Sequence, residues 1–115
     1  MREIIRDPGR LEHMLMAIDN VHEFLEGKTY DDLRKDKLLF FGVVKNIEIV
    51  GEAANNLTKE LRAQHTEVCW KDVIAMRHVL VHDYYNIDAH TAWQTAQDNL
   101  PQLRVQIESI LKSLL

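Results

Sequence analysis

Among its 115 residues the chain holds a single cysteine, Cys69. One cysteine excludes an internal disulfide and a structural zinc site built on thiolates. It fits a reducing, cytoplasmic setting. There are only two prolines and four glycines, and no low-complexity tract or linker-like stretch. No apolar run approaches the ~20 residues needed to span a bilayer, so no membrane association is expected. The opening stretch MREIIRDPGR has no apolar core of the secretory-leader type. A basic excess is also missing: 14 Lys and Arg stand against 18 Asp and Glu, a formal net charge of -4. Overall charge therefore cannot hold a nucleic acid, and any such contact needs a local positive cleft. Gly-rich phosphate loops, nucleophile elbows and zinc ribbons are absent. No stretch alternates convincingly as a strand does.

What remains is a globular balance, with 46% apolar and 28% charged residues, arranged with helical periodicity. Leu11, Met14, Leu15, Ile18, Val21 and Leu25 recur at steps of three and four. Asp7 is placed to cap this helix, Pro8 to occupy its first position, and Gly27 to stop it. TYDD reads as a short capped turn, with Thr29 as cap and Asp32 three residues on. A long helix is expected from about Asp36 to Leu57, on a seam of Val43, Ile47, Val50, Ala54 and Leu57. Gly42 and Gly51 lie inside it, each costing about 1 kcal/mol against alanine. Close approach of a neighbouring helix would compensate. Thr58 caps another short helix.

A further helix starts at Trp70, with Val73, Ile74, Met76, Leu80 and Val81 as its apolar positions, and ends near His82. Asp88 can cap the last one. There Trp93, Ala96, Leu100, Leu103, Ile107, Ile110 and Leu114 are spaced 3, 4, 3, 4, 3 and 4. Pro101 should kink or split that helix near Asn99. The expectation is an all-α antiparallel bundle of about four to five main helices, a single domain over residues 1–115.

The chemistry gathers in RHVLVHDYY, residues 77 to 85. Arg77 and His82 are five apart, so on one ideal helix they point roughly 140° from each other. The helix could end before His82, the arginine could wrap round, or two copies of the helix could meet across a dimer axis. The plainer alternative is an arginine paired with an acid and a histidine capping a helix end. His78 and His82, four apart, resemble a two-histidine metal face with Asp83 and His90 nearby, but no third ligand is fixed. Glu48 and Glu52, also four apart and followed by Asn55 and Asn56, could be an acid/base pair. A polar stripe pairing with basic residues such as Arg77 is the simpler reading. His13, His22 and His65 look like surface residues, and Cys69 like a small buried one.

Arg77, four residues, His82, one residue, Tyr84 is similar to the R-x4-H-x-Y motif of HepT-like proteins of the HEPN superfamily. NIEIVGEAANNL (46–57), IAMRHVLVHDYYNID (74–88) and WQTAQDNLPQL (93–103) resemble the same family in order and spacing. The resemblance covers nearly the whole chain. It implies a HEPN-like homodimeric bundle whose cleft is built from both copies of Arg77 and His82, with His78, Glu48 and Glu52 in support. It implies the toxin of a type VII toxin–antitoxin system: a metal-independent endoribonuclease with no cofactor, leaving a 2′,3′-cyclic phosphate. The partner would be a minimal nucleotidyltransferase antitoxin that silences the toxin by attaching adenylate to Tyr84, with Tyr85 as the neighbouring candidate. The alternative is a non-catalytic helical subunit that presents a substrate to such a transferase.

Overall fold

The computed structural model describes the backbone of residues 2–79 and 88–115 and the side chains of 7–78 and 88–115. Among them every regular element is helical: α1 (Arg2–Leu25), α2 (Tyr30–Lys35), α3 (Lys37–Asn55), α4 (Lys59–Gln64), α5 (Trp70–Val79), α6 (Ala89–Gln94) and α7 (Leu100–Leu114). The all-α bundle expected from periodicity is the observed architecture.

Packing follows from the seams. α1 lies against α3 on one side and α7 on the other, and α3 in turn carries α5. Leu11, Met14, Ile18, Val21 and Leu25 of α1 are buried against Val43, Ile47, Val50 and Ala54 of α3 and Leu100, Leu103, Ile107 and Ile110 of α7, in one core. α1 and α3 run antiparallel. Asn20 Nδ2 donates to Asn46 Oδ1 at 3.1 Å, and four residues on along α1 and four back along α3 the Phe24 ring meets Gly42. Asn46 is buried, and it uses both ends of its amide, since Nδ2 also donates to the Gly42 carbonyl at 2.8 Å.

Local signals place most helix starts. Thr29 and Asp32 form a reciprocal capping box on α2. Asp36 caps α3, Thr58 caps α4 and Asp88 caps α6. Gly27 ends the first helix with φ 74°, a left-handed conformation that suits glycine.

Three expectations need correction. α1 begins upstream, so Pro8 lies inside it and Asp7 is not its cap. Asp7 instead accepts from the Thr58 N–H at 3.0 Å and the Thr58 hydroxyl at 2.6 Å, tying α1 to the start of α4. Cys69 is exposed, its thiol donating to Asp72 Oδ2 at 3.0 Å, because the chain turns there into α5. Leu114 is exposed although it continues the last seam, which overruns the end of the core.

In place of the plain kink or split expected at Pro101, the helix widens just before it. Between α6 and α7 the chain makes a π-helical turn, Thr95–Asn99, in which the Leu100 N–H reaches back to the Thr95 carbonyl. Proline has no N–H and crowds the carbonyl four residues back. A widened turn relieves that crowding without breaking the rod. The seam of α3, and that of the last helix as far as Ile110, are largely covered within one chain. Among the described residues the large exposed apolar side chains are Leu38, Phe41 and Ile49 on α3, Met16 and Phe24 on α1, and Val105, Leu114 and Leu115 at the C-terminal end.

Candidate active site

Arg77 sits on α5 where that helix crosses α3. Gly51 sets the spacing. A Cβ built on Gly51 would collide with the Arg77 backbone nitrogen and lie 3.1 Å from both its Cα and its Cβ. The absence of a side chain at residue 51 is what brings the two backbones together, as the buried glycine suggested. Gly42 does not work this way: a Cβ built on it would meet the Phe24 ring at an ordinary 3.4 Å.

From that anchored base the Arg77 side chain emerges half-buried. Its Nη1 is 3.6 Å from Glu52 Oε2, with side-chain exposures of 29% and 59%. Its Nε is buried and has no hydrogen-bond partner among the described residues. Glu52 is held in turn, since Asn56 Nδ2 donates to the Glu52 carbonyl at 3.0 Å and to Oε1 at 3.3 Å. Asn56 ends α3, and its own N–H closes onto the carbonyls of the last turn.

The anticipated pairing of the α3 carboxylates with Arg77 therefore holds for Glu52. Glu48 is half-buried one turn away, and no ion pair between described residues involves it. His78 follows Arg77 and is exposed. His82, Asp83, Tyr84 and Tyr85 lie outside the described residues, as do the expected end of α5 and the Leu80 and Val81 positions. Of the suggested metal ligands only His78 and His90 are described, and His90 stands edge-on to Tyr30 with ring centroids 6.0 Å apart. Among the described residues no group of three His, Cys, Asp or Glu is placed to hold a metal ion.

Where the described chain resumes, Asp88 accepts from the His90 N–H at 2.9 Å and from the Thr91 hydroxyl at 2.9 Å. The Thr91 hydroxyl first, and the His90 N–H second, hold the Asp88 carboxyl below its ordinary range. Two features were less legible. Asn56 reads in sequence only as a polar neighbour of Glu52, although its four-residue spacing is the available signal. A groove of about 720 Å³ also opens between α1 and the α6–π–α7 rod, floored by Ile18, Val21 and Leu100 and flanked by Trp93. None of its walls comes from α3 or α5.

A family model described as ribonuclease HepT-like matches residues 14–110. The chain belongs to the HepT-like ribonuclease family. The matched span of this HepT-like chain includes Glu48, Glu52, Arg77, His78, His82 and Tyr84. A protein of Caldanaerobacter subterraneus subsp. tengcongensis, provisionally named an RNase, is 36% identical, covering 89% of this chain and 91% of its own. One from Thermococcus cleftensis, provisionally named ribonuclease HepT, is 31% identical over 89% of this chain and 93% of its own. A Methanocaldococcus jannaschii protein, named a gamma-glutamylcyclotransferase and provisionally an RNase, is 34% identical over 90% of this chain but only 47% of its own length. No solved structure matches significantly. Among the described residues no helix is long and apolar enough to cross a membrane.

Proposed function

We propose that this chain is a metal-independent endoribonuclease, one HepT-like domain over residues 1–115 that acts as a homodimer, with Arg77 and His82 as its catalytic residues. The observation that carries the reading is the Arg77 side chain, anchored at its base by the contact with Gly51 and faced by Glu52 at 3.6 Å. A guanidinium placed this way keeps donors for a phosphate and is not swept about by solvent.

The chemistry uses what RNA itself brings. The 2′-hydroxyl is the nucleophile. His82 takes its proton as the oxygen attacks the adjacent phosphorus, a role to which imidazole is suited near neutral pH. Arg77 stabilises the charge that grows on the phosphoryl oxygens. The P–O5′ bond breaks, the leaving oxygen collects a proton, and the products are a 2′,3′-cyclic phosphate and a 5′-hydroxyl. The net acidity of the chain is no obstacle, because two arginines from two copies concentrate positive potential in one cleft.

The homodimer finds support in the exposed apolar side chains of α1 and α3, which no described residue covers. Leu38 is 87% and Phe41 55% exposed, and Ile49 continues their row towards Glu52. A second copy is the occupant that would bring another Arg77 to the same cleft.

Regulation follows the same site. A partner nucleotidyltransferase antitoxin would transfer adenylate from ATP to the Tyr84 phenol oxygen, releasing pyrophosphate. The attached phosphate would occupy the anion position and hold the arginines. The reading makes the chain the toxin of a type VII toxin–antitoxin pair. Its test is cleavage of RNA by purified protein with chelator present, beside Arg77→Ala and His82→Ala. Cleavage that survives both substitutions would leave the alternative of a non-catalytic partner subunit.

A further inference from the structure

We infer that Asn56 is a positioning residue for RNA cleavage, acting on Arg77 through the carboxylate of Glu52. The inference rests on the reading of Arg77 as the phosphate-binding arginine. Among the described residues the side-chain hydrogen bonds of Asn56 go to Glu52 and not to Arg77. Asn56 divides the Glu52 carboxylate: Oε1 accepts from Asn56 Nδ2 at 3.3 Å, and Oε2 faces Arg77 Nη1 at 3.6 Å. The same amide also holds the Glu52 carbonyl at 3.0 Å, so the asparagine grips backbone and side chain of one residue together.

The lengths matter. A distance of 3.6 Å is too long for a good hydrogen bond. It is an ion pair that aligns the guanidinium without consuming its donors. A short bidentate bond to Glu52 would instead leave the arginine unavailable to a phosphate. Among the described residues Arg77 Nε is buried without a hydrogen-bond partner and Glu52 is the acid facing the guanidinium, so there the side chain is fixed at its base by packing and at its tip by Glu52.

Glu52 is more than half exposed. Pairs of that kind contribute little to stability. The arrangement should therefore show itself in rate. Charge on the phosphoryl oxygens grows from ground state to transition state, so a loosened arginine loses more there than in binding. Small misplacements cost up to about 100-fold.

The test measures kcat and KM on a fluorescent mixed-sequence oligoribonucleotide. The variants are Asn56→Ala, Glu52→Gln, Glu52→Ala, the Asn56→Ala/Glu52→Ala double, and Asn56→Ala placed on Arg77→Ala. Circular dichroism confirms that each is folded. Expected is a kcat reduced about 10- to 100-fold for Asn56→Ala, with KM changed by less than about twofold. Glu52→Gln should be as slow as Glu52→Ala, because it keeps an acceptor for Asn56 but loses the charge facing Arg77. The double variant should be no slower than Glu52→Ala alone. On the Arg77→Ala background Asn56→Ala should change nothing. A wild-type kcat for Asn56→Ala, or multiplicative losses in the double, overturns the relay while leaving the nuclease intact. If Arg77→Ala itself cleaves normally, the functional reading has failed instead.

Discussion

Gly51 on α3 and Arg77 on α5 meet backbone to backbone, with no room for a methyl group between them. The contact explains a glycine inside a long helix, and it fixes where the arginine leaves α5. Gly51→Ala gains about 1 kcal/mol of helix propensity but forces overpacking that costs about 1–3 kcal/mol. The melting temperature should fall by roughly 5 °C, and RNA cleavage should slow as Arg77 is displaced. Gly42→Ala is the control, because its new methyl would meet only the Phe24 ring at 3.4 Å. That variant should be as stable as wild type or more so, by up to about 1 kcal/mol. Thermal melts of the two side by side check the pair.

These glycines mark how far the sequence could be read. Seams such as Val43–Ile47–Val50–Ala54–Leu57 were legible because burial repeats with the helix period. So were the Thr29 and Thr58 caps, whose partners lie three residues away. Asp7 was not, since its partner Thr58 is 51 residues distant and nothing local announces it. The start of α1 was misplaced for a related reason: a proline after an aspartate suits a first turn, and tertiary context put it inside the helix. At the site, the Glu52–Arg77 pairing was legible from charge and motif. The Gly51 contact came only as the general idea of a close approach, because register between helices is a property of packing.

The apolar side chains of α1 and α3 that no described residue covers predict an oligomer. Sedimentation at micromolar concentration should give about twice 13.5 kDa. A Leu38→Asp/Phe41→Asp variant should sediment as a folded monomer and lose cleavage with its dimer. A wild-type monomer that cuts RNA would defeat the composite cleft.

Tyr84→Phe should cleave RNA as wild type does and escape silencing by the transferase, since only the phenol oxygen is removed. Mass spectrometry of co-expressed protein should place added adenylate on Tyr84. Adenylate on Tyr85 alone would assign the role to the neighbouring tyrosine.

Asp88 predicts a pH dependence. Its folded pKa is depressed, by the Thr91 hydroxyl and then by the His90 N–H. Such a group stabilises the folded chain above its unfolded pKa, about 3.9. The contribution is lost as pH drops through the lower folded value. Asp88→Ala should therefore melt below wild type at pH 7, and the gap should close progressively below about pH 4. Melts across that range check the sign. A gap that widens on acidification would contradict the cap.

The central claim is that Arg77 and His82 cleave RNA without a metal. Wild type, Arg77→Ala and His82→Ala should be incubated with RNA in excess EDTA and the new ends identified by mass spectrometry. The account predicts 2′,3′-cyclic phosphate ends from wild type, with the rate lower by about 10²- to 10⁴-fold in His82→Ala and similarly reduced in Arg77→Ala. Cleavage abolished by EDTA, or undiminished in His82→Ala, would contradict it.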